Sequence, residues 1–271
     1  MKQPRIAITT LVANRAWVLP WFLGCLAGLD HPKDRLSLLV IDDGSADETP
    51  AQLDVFRAQY EGSFRKIDIL RRDYPNPATS ARNTDDRKEG YPKLASLRNL
   101  ALDWAVEQKA DYQFSIDSDI LVAPGILTRL LSHGLPYVAS MIWNDVTDRG
   151  YIGDNLENRV TNAGFLNHRG RWEQFRKYQL SKPVVRPCGY SGAVYLVDRA
   201  TLDSGARFGG EHPDMDHHCE DYSYCWALQL LSIDRHIDEQ RQAVHVMIPS
   251  RLQDALGAYV AWFGVFPEKL G

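Results

Sequence analysis

LSLLVIDDGSADET, residues 36–49, is the stretch on which the architecture turns. Residues 36–41 are apolar apart from Ser37, and they end on two adjacent carboxylates, Asp42 and Asp43, followed by Gly44-Ser45. A strand that is apolar on both faces is covered on both faces, as in a parallel sheet sandwiched between helices, whereas a half-exposed strand alternates. Ser45 or Asp47 can cap a helix predicted over residues 48–60.

Working outward, strand-like and helix-like runs alternate. Residues 6–12 (IAITTLV) read as a strand, 16–29 as a helix, 66–70 (KIDIL) as a strand, 94–108 as a helix, 112–116 (YQFSI) as a strand, 125–132 as a helix and 137–142 as a strand. The order predicts an α/β fold, a central mostly parallel sheet flanked by helices. It predicts one domain over 1–271, made of two halves (1–120 and 121–250) and a C-terminal tail (251–271). The uncharged run WVLPWFLGCLAGL (17–29) has the length of a signal-peptide core. It lies behind sixteen residues that include the first strand, and the spacing of Trp17, Trp21, Leu23 and Leu26 favours a buried helix. It is too short to span a bilayer. The polar stretches 71–90 and 144–186 interrupt the alternation and are candidates for substrate-binding loops, with plain disordered surface the alternative for the first. Within the second, Tyr151, Phe165, Trp172, Phe175 and Tyr178 can stack on a ligand's rings or pack the loop down, and Trp143 at a strand end is better placed for such a contact.

Composition narrows the function. With 44% hydrophobic and 24% charged residues the chain has the make-up of a folded domain, and its net charge is −4 with no Lys/Arg block. That distribution lacks the footprint of a nucleic-acid or anionic-membrane binder. Cys25, Cys188, Cys219 and Cys225 show no C-x₂-C spacing, so reduced thiols are expected, in a protein that is cytoplasmic or peripheral to the membrane. The turn after the first strand, TTLVANRAW, has no G-x-G-x-x-G, and no G-x₄-G-K-[ST] occurs, which excludes a dinucleotide fingerprint and a P-loop.

In open α/β sheets ligands bind beyond the carboxyl ends of the strands. Four groups stand there. Asp42-Asp43 follows the second strand, in residues that a turn and cap would also use. Asp117-Ser118-Asp119 follows the strand FSI, where two carboxylates at i and i+2 can converge on a hard cation while a diphosphate supplies further oxygens. Glu220-Asp221 opens a helix whose apolar stripe is Tyr224, Ala227, Leu228 and Leu231. One of the two would face the site as a general base. His245, in QAVHVM, can add a nitrogen ligand to the same cation. Arg98, in PKLASLRNLALDW, suits a diphosphate as a planar donor, with Lys93 nearby. His212, Asp214, Asp216, His217 and His218 form a second cluster with metal-like spacing.

Taken in order, IAITTLVANR, LLVIDDGSADET, LRNLALDWA, FSIDSDI, GYSGAVYLVDRATL and CEDYSYC resemble the nucleotide-sugar-dependent glycosyltransferases of the GT-A (Rossmann-like) fold, especially the inverting family-two group. The resemblance implies that Leu11, Val12 and Asn14 line the nucleotide and that Asp43 bonds the base. It implies that Asp117 contacts the ribose or a metal water, Asp119 binds the metal, Gly192 lies beside the donor sugar and Asp221 deprotonates the acceptor. Leu11-Val12-Ala13-Asn14 replaces the family's Pro-x-Tyr-Asn, and Ala101 stands where a glycine is common. These departures leave a retaining GT-A enzyme as the alternative, with a sugar-phosphate nucleotidyltransferase behind it.

The expected activity is metal-dependent transfer, with Mn²⁺ or Mg²⁺, from a UDP- or GDP-type sugar. The acceptor is a hydroxyl of a glycan, a lipid-linked sugar or a small molecule, and neither a nucleic-acid partner nor a transmembrane segment is expected. A carbohydrate-binding or scaffold protein without turnover is the rival from outside enzymology.

Overall fold

Strand β1 (Ile6–Val12) alternates its side chains between two apolar layers, and this alternation organises the molecule. Ile6, Ile8 and Val12 enter one core cluster, together with Leu19, Phe22, Leu23 and Leu26 of helix α1 (Leu19–Ala27) and Leu53 and Phe56 of α2 (Thr49–Tyr60). Ala7 and Leu11 enter the other, against Leu97, Leu102 and Ala105 of α3 (Thr84–Glu107). A strand covered on both faces has no solvent side, and every residue of β2 (Leu36–Asp43) is buried.

The computed structural model describes residues 3–72, 84–144, 185–189, 191–210, 220–246 and 248–270. The remaining strands are β3 (Lys66–Arg72), β4 (Tyr112–Ile116), β5 (Ile120–Val122), β6 (Tyr137–Asn144), β7 (Val185–Pro187), β8 (Val194–Asp198) and β9 (Arg235–His245). The sheet order is β3-β2-β1-β4-β8-β6-β9-β5, with β7 beside β9. The predicted parallel arrangement is found across β3-β2-β1-β4 and again between β6 and β9. Strand β8 runs antiparallel to both β4 and β6. The remaining helices are α4 (Ile126–Leu131), α5 (Arg199–Asp203), α6 (Glu220–Leu230) and α7 (Leu252–Phe263).

Several predicted boundaries move, each for a local reason. Helix α1 starts at Leu19, with Pro20 in its first turn, because a turn that opens on Asn14 at φ 51° comes between it and β1. Ser45 caps no helix: its Oγ accepts the Asn14 N–H at 2.9 Å, and Asp47 accepts from Thr49 N and Ala16 N. Helix α3 begins at Thr84, inside the stretch read as a loop, and carries Pro92 in its interior. Residues 252–263, placed in a tail, form a helix that buries Ala255, Leu256 and Tyr259, with the Tyr259 hydroxyl donating to Val122 O at 2.9 Å. The segment after it crosses Gly24 so closely that a Cβ there would overlap the Glu268 carbonyl. The glycine is what permits the contact.

Cys25, Cys188 and Cys225 are buried free thiols, and burial pushes each thiol's pKa up. Among the described residues no helix is long and apolar enough to cross a membrane.

Candidate active site

The carboxyl ends of β1 and β4 open onto a cleft of about 180 Å³ lined by Leu11, Arg15, Leu94, Arg98, Asp117, Ser118, Asp119 and Glu220. Strand β9 ends beside it, because His245 pairs with Ile120, one residue past Asp119. Strand β8 starts there, since Val194 is paired with Ile116. The segment before β8 therefore lies along the same edge, where Asp117 N donates to Ala193 O at 2.8 Å.

Arg98 is the centre of the charged network. It is buried, its Nη2 donates to Asp117 Oδ1 at 3.0 Å, and its Nε lies 3.5 Å from Glu220 Oε1. The guanidinium sits over the ring of Phe208 at 5.9 Å, which stacks in turn on Tyr224 with 4.3 Å between centroids. Asn99 fixes Phe208 by accepting from its N–H at 2.9 Å and donating to its carbonyl at 3.0 Å. The sequence singled out Arg98 as a diphosphate donor; it already donates to Asp117, while its Nε faces Glu220 without a hydrogen bond among the described residues.

Asp119 and His245 form a second pair, with His245 Nε2 3.3 Å from Asp119 Oδ1. Burial disfavours charge on both, but their mutual attraction prevails: the Asp119 pKa is lowered, helped by Arg15, and that of His245 is raised. Arg15, which the sequence reading passed over, brings Nη2 to 3.3 Å from Asp119 Oδ2. Its signal was adjacency to Asn14 at the end of the first strand. Among the described residues no group of three or more His, Cys, Asp or Glu could hold a metal. One carboxylate and one imidazole nevertheless match the donor preferences of Mn²⁺, with diphosphate oxygens and water left to complete the shell. The pair fits a cation as a partial site.

Both acidic residues at the start of α6 belong to this region, where one was expected. Glu220 reaches Arg98, while the shorter Asp221 turns onto Gly192, and a Cβ built on Gly192 would overlap its carboxylate. The first-turn position favours anions at both. Asp221 Oδ1 is buried with no hydrogen-bond partner among the described residues. Burial lifts the Asp221 pKa to about 8, and Arg98 pulls against the rise while Glu220 and Asp117 add to it.

The other predicted contacts are spread more widely. Leu11 lines the cleft, but the Val12 side chain lies in the core, which leaves only its main chain to face a ligand. Asn14 Oδ1 accepts from Ala46 N at 2.8 Å, and so ties two loops together. Asp43 is fully buried against Lys93 Nζ at 2.8 Å. Tyr151, Phe165, Trp172, Phe175, Tyr178 and the cluster His212, Asp214, Asp216, His217 and His218 lie outside the described residues, as does the Trp143 side chain.

Comparison with known proteins gives this arrangement relatives. A family model described as glycosyltransferase family 25, N-terminal domain, matches residues 3–262. Procollagen galactosyltransferase 2 of Homo sapiens is 28% identical over 204 residues, 73% of this chain and 31% of that protein. Inactive glycosyltransferase 25 family member 3 of Homo sapiens is 30% identical over 269 residues, 93% of this chain and 42% of that protein. The chain thus spans less than half the length of these two relatives. Among solved structures, S. aureus TarS 1-349 matches with a TM-score of 0.53 at 15% identity, covering 95% of this chain and 64% of that one. Mannosyltransferase PcManGT from Pyrobaculum calidifontis, in complex with GDP-Man and Mn²⁺, matches with a TM-score of 0.56 at 15% identity, covering 92% and 58%. The fold is that of the GT-A glycosyltransferases.

Proposed function

The chain belongs to glycosyltransferase family 25, and from that premise we propose that it transfers a hexosyl group from a nucleoside-diphosphate sugar to an acceptor hydroxyl, with inversion at the anomeric carbon. The observation that carries this reading is the Asp221 carboxylate, which sits against Gly192 with one oxygen buried and without a hydrogen-bond partner among the described residues. A buried acceptor without a donor is costly to maintain, and the proton of an acceptor hydroxyl would satisfy it. Its pKa of about 8 lies near working pH, where a general base is effective.

In this mechanism Asp221 takes the proton as the acceptor oxygen bonds to the anomeric carbon. The bond from that carbon to the diphosphate breaks, with its electron pair leaving on the diphosphate. Gly192, having no side chain, lets the carboxylate settle against its backbone, and the donor sugar would lie beside the pair. Arg98 holds Asp117 and Glu220 in place and adds positive potential where the leaving group departs. Leu11, the Val12 main chain, Asn14 and the Asp43–Lys93 pair border the nucleotide, and Asp117 faces the ribose. Asp119 and His245 would hold a divalent cation, which when bound supplies charge neutralisation at the diphosphate. The solved neighbours in complex with UDP-GlcNAc, UDP, and GDP-Man with Mn²⁺ support a UDP- or GDP-type donor.

The human relative aligned over 93% of this chain carries "inactive" in its name, and this favours one second reading, donor binding without turnover. Thermal-shift screening of UDP- and GDP-sugars with and without Mn²⁺, followed by an assay for released nucleotide, separates the two. A shift with release of free nucleoside diphosphate supports transfer. A shift without release supports binding alone, and pyrophosphate release would point to nucleotidyl transfer instead.

A further inference from the structure

Among the described residues two arginines line the cleft, and they differ in the carboxylates around them. Arg98 donates Nη2 to Asp117 Oδ1 at 3.0 Å, and its buried Nε, though without a hydrogen bond among the described residues, already faces a carboxylate, Glu220 Oε1, at 3.5 Å. Arg15 stands on a turn held by four hydrogen bonds to the segment that follows β2: Asn14 N to Ser45 Oγ at 2.9 Å, Ala46 N to Asn14 Oδ1 at 2.8 Å, Arg15 N to Thr49 Oγ1 at 2.9 Å and Ala16 N to Asp47 Oδ2 at 3.0 Å. From this fixed base the guanidinium enters the cleft. Nη1 donates to Ala13 O at 3.2 Å, Nη2 lies 3.3 Å from Asp119 Oδ2, and the buried Nε has no hydrogen-bond partner among the described residues. A planar fork of five N–H donors, one of them buried and unmet, suits an anion that offers several oxygens.

On the reading of this cleft as the donor site, we propose that Arg15 binds the diphosphate, and that in its absence Arg15 serves as the counter-ion of Asp119. Arg15 and a divalent cation then compete for the same carboxylate. When Arg15 turns Nε and Nη2 onto diphosphate oxygens it releases Asp119 Oδ2 to the cation, so each ligand favours the other. A residue that only braced the turn after β1 would not link the two.

Titration calorimetry tests the assignment, with Mn²⁺ alone, and with UDP and GDP each titrated with and without Mn²⁺, on the wild type, Arg15→Gln and Arg15→Lys. In Arg15→Gln, Mn²⁺ alone is expected to bind about three-fold more tightly, because its competitor is gone. Nucleotide without metal is expected to bind roughly ten-fold more weakly, from the loss of charge-assisted hydrogen bonds. The enhancement of nucleotide binding by Mn²⁺ should shrink. Arg15→Lys, which keeps the charge without the fork, should fall between the two and melt with the wild type, and it carries the test if Arg15→Gln is unstable. Affinities that are unchanged, or that both weaken, overturn the assignment while leaving the donor reading intact. A wild type that binds neither UDP nor GDP, with or without Mn²⁺, overturns the donor reading and the Arg15 assignment together.

Discussion

The Asp221 carboxylate rests against the Cα of Gly192, so a methyl group at residue 192 would overlap its Cγ and both its oxygens. The backbone of Gly192 is not in the left-handed region, and the three atoms nearest to a side chain there all belong to the Asp221 carboxylate. The following Ala193 has φ 59°, and Val194 N closes onto Gly192 O at 2.6 Å, which makes the turn under Asp221 tight and strained. Gly192→Ala is therefore expected to displace the carboxylate while leaving the fold intact. Turnover should fall by about 10² or more, the scale of a lost general base, and melting should shift only modestly. An active Gly192→Ala enzyme would show that Asp221 need not lie there.

Asp221→Asn keeps the shape of the side chain and removes its basicity. Nucleotide affinity should stay within about two-fold, and turnover should drop by roughly 10²–10⁴. The sign of the pH dependence follows from burial. With a pKa of about 8 the wild-type group is largely protonated at neutral pH, so log kcat/KM should rise with pH and level off above about 8. The variant's residual rate should lack that limb. Nucleotide binding and turnover that fall together would count against a base at this position.

The strand ends could be read because the strands are simple. LSLLVI and IAITTLV are apolar on both faces, and Asp117-Ser118-Asp119 leaves its strand where the sheet stops. What the sequence hid was pairing across distance. Nothing in residues 84–93 marked helix, since Gly90 and Pro92 oppose one, yet α3 runs through them. Arg15 stood beside a noted Asn14, but its relation to Asp119 depends on how β1 and β4 lie in the sheet. Adjacent helical residues diverge by about 100°, yet Glu220 and Asp221 both belong to the cleft region, because the longer Glu side chain brings Oε1 to 3.5 Å from Arg98 Nε. The expected family-two likeness resolved into family 25 within the same fold.

Asp238, on β9, is fully buried and clamps α4 to the sheet. It accepts from Arg129 Nε at 2.6 Å and Nη2 at 3.2 Å, from the Gln240 N–H at 2.9 Å, and pairs with His133 Nε2 at 2.7 Å. Burial opposes its charge, but these bonds outweigh it and hold the pKa below that of an ordinary aspartate. A depressed folded pKa adds stability that is complete above the unfolded value near 4 and is lost as pH falls through the folded value. Asp238→Asn is thus expected to cost about 2 kcal/mol at neutral pH in urea denaturation, and to flatten the fall of stability as pH drops below the ordinary aspartate value. Equal acid sensitivity in both proteins would place the acid-labile carboxylates elsewhere.

Asp119 faces Arg15 through one oxygen and His245 through the other. Asp119→Ala removes the carboxylate from a partial cation site that would otherwise keep a single imidazole, too little to hold Mn²⁺ beside a diphosphate. Mn²⁺ titrations followed by electron paramagnetic resonance should show a bound fraction in the wild type that is lost in the variant. Transfer by the wild type should be abolished by EDTA and restored by added Mn²⁺, while the variant should stay inactive in both conditions. Stability separates this from misfolding. Two positive groups lose their partner, a cost of about 1–3 kcal/mol in a half-buried setting, so the variant should still fold cooperatively in urea. Undiminished transfer by Asp119→Ala under saturating EDTA would mean that the diphosphate leaves without a cation, with arginine side chains alone to receive its charge.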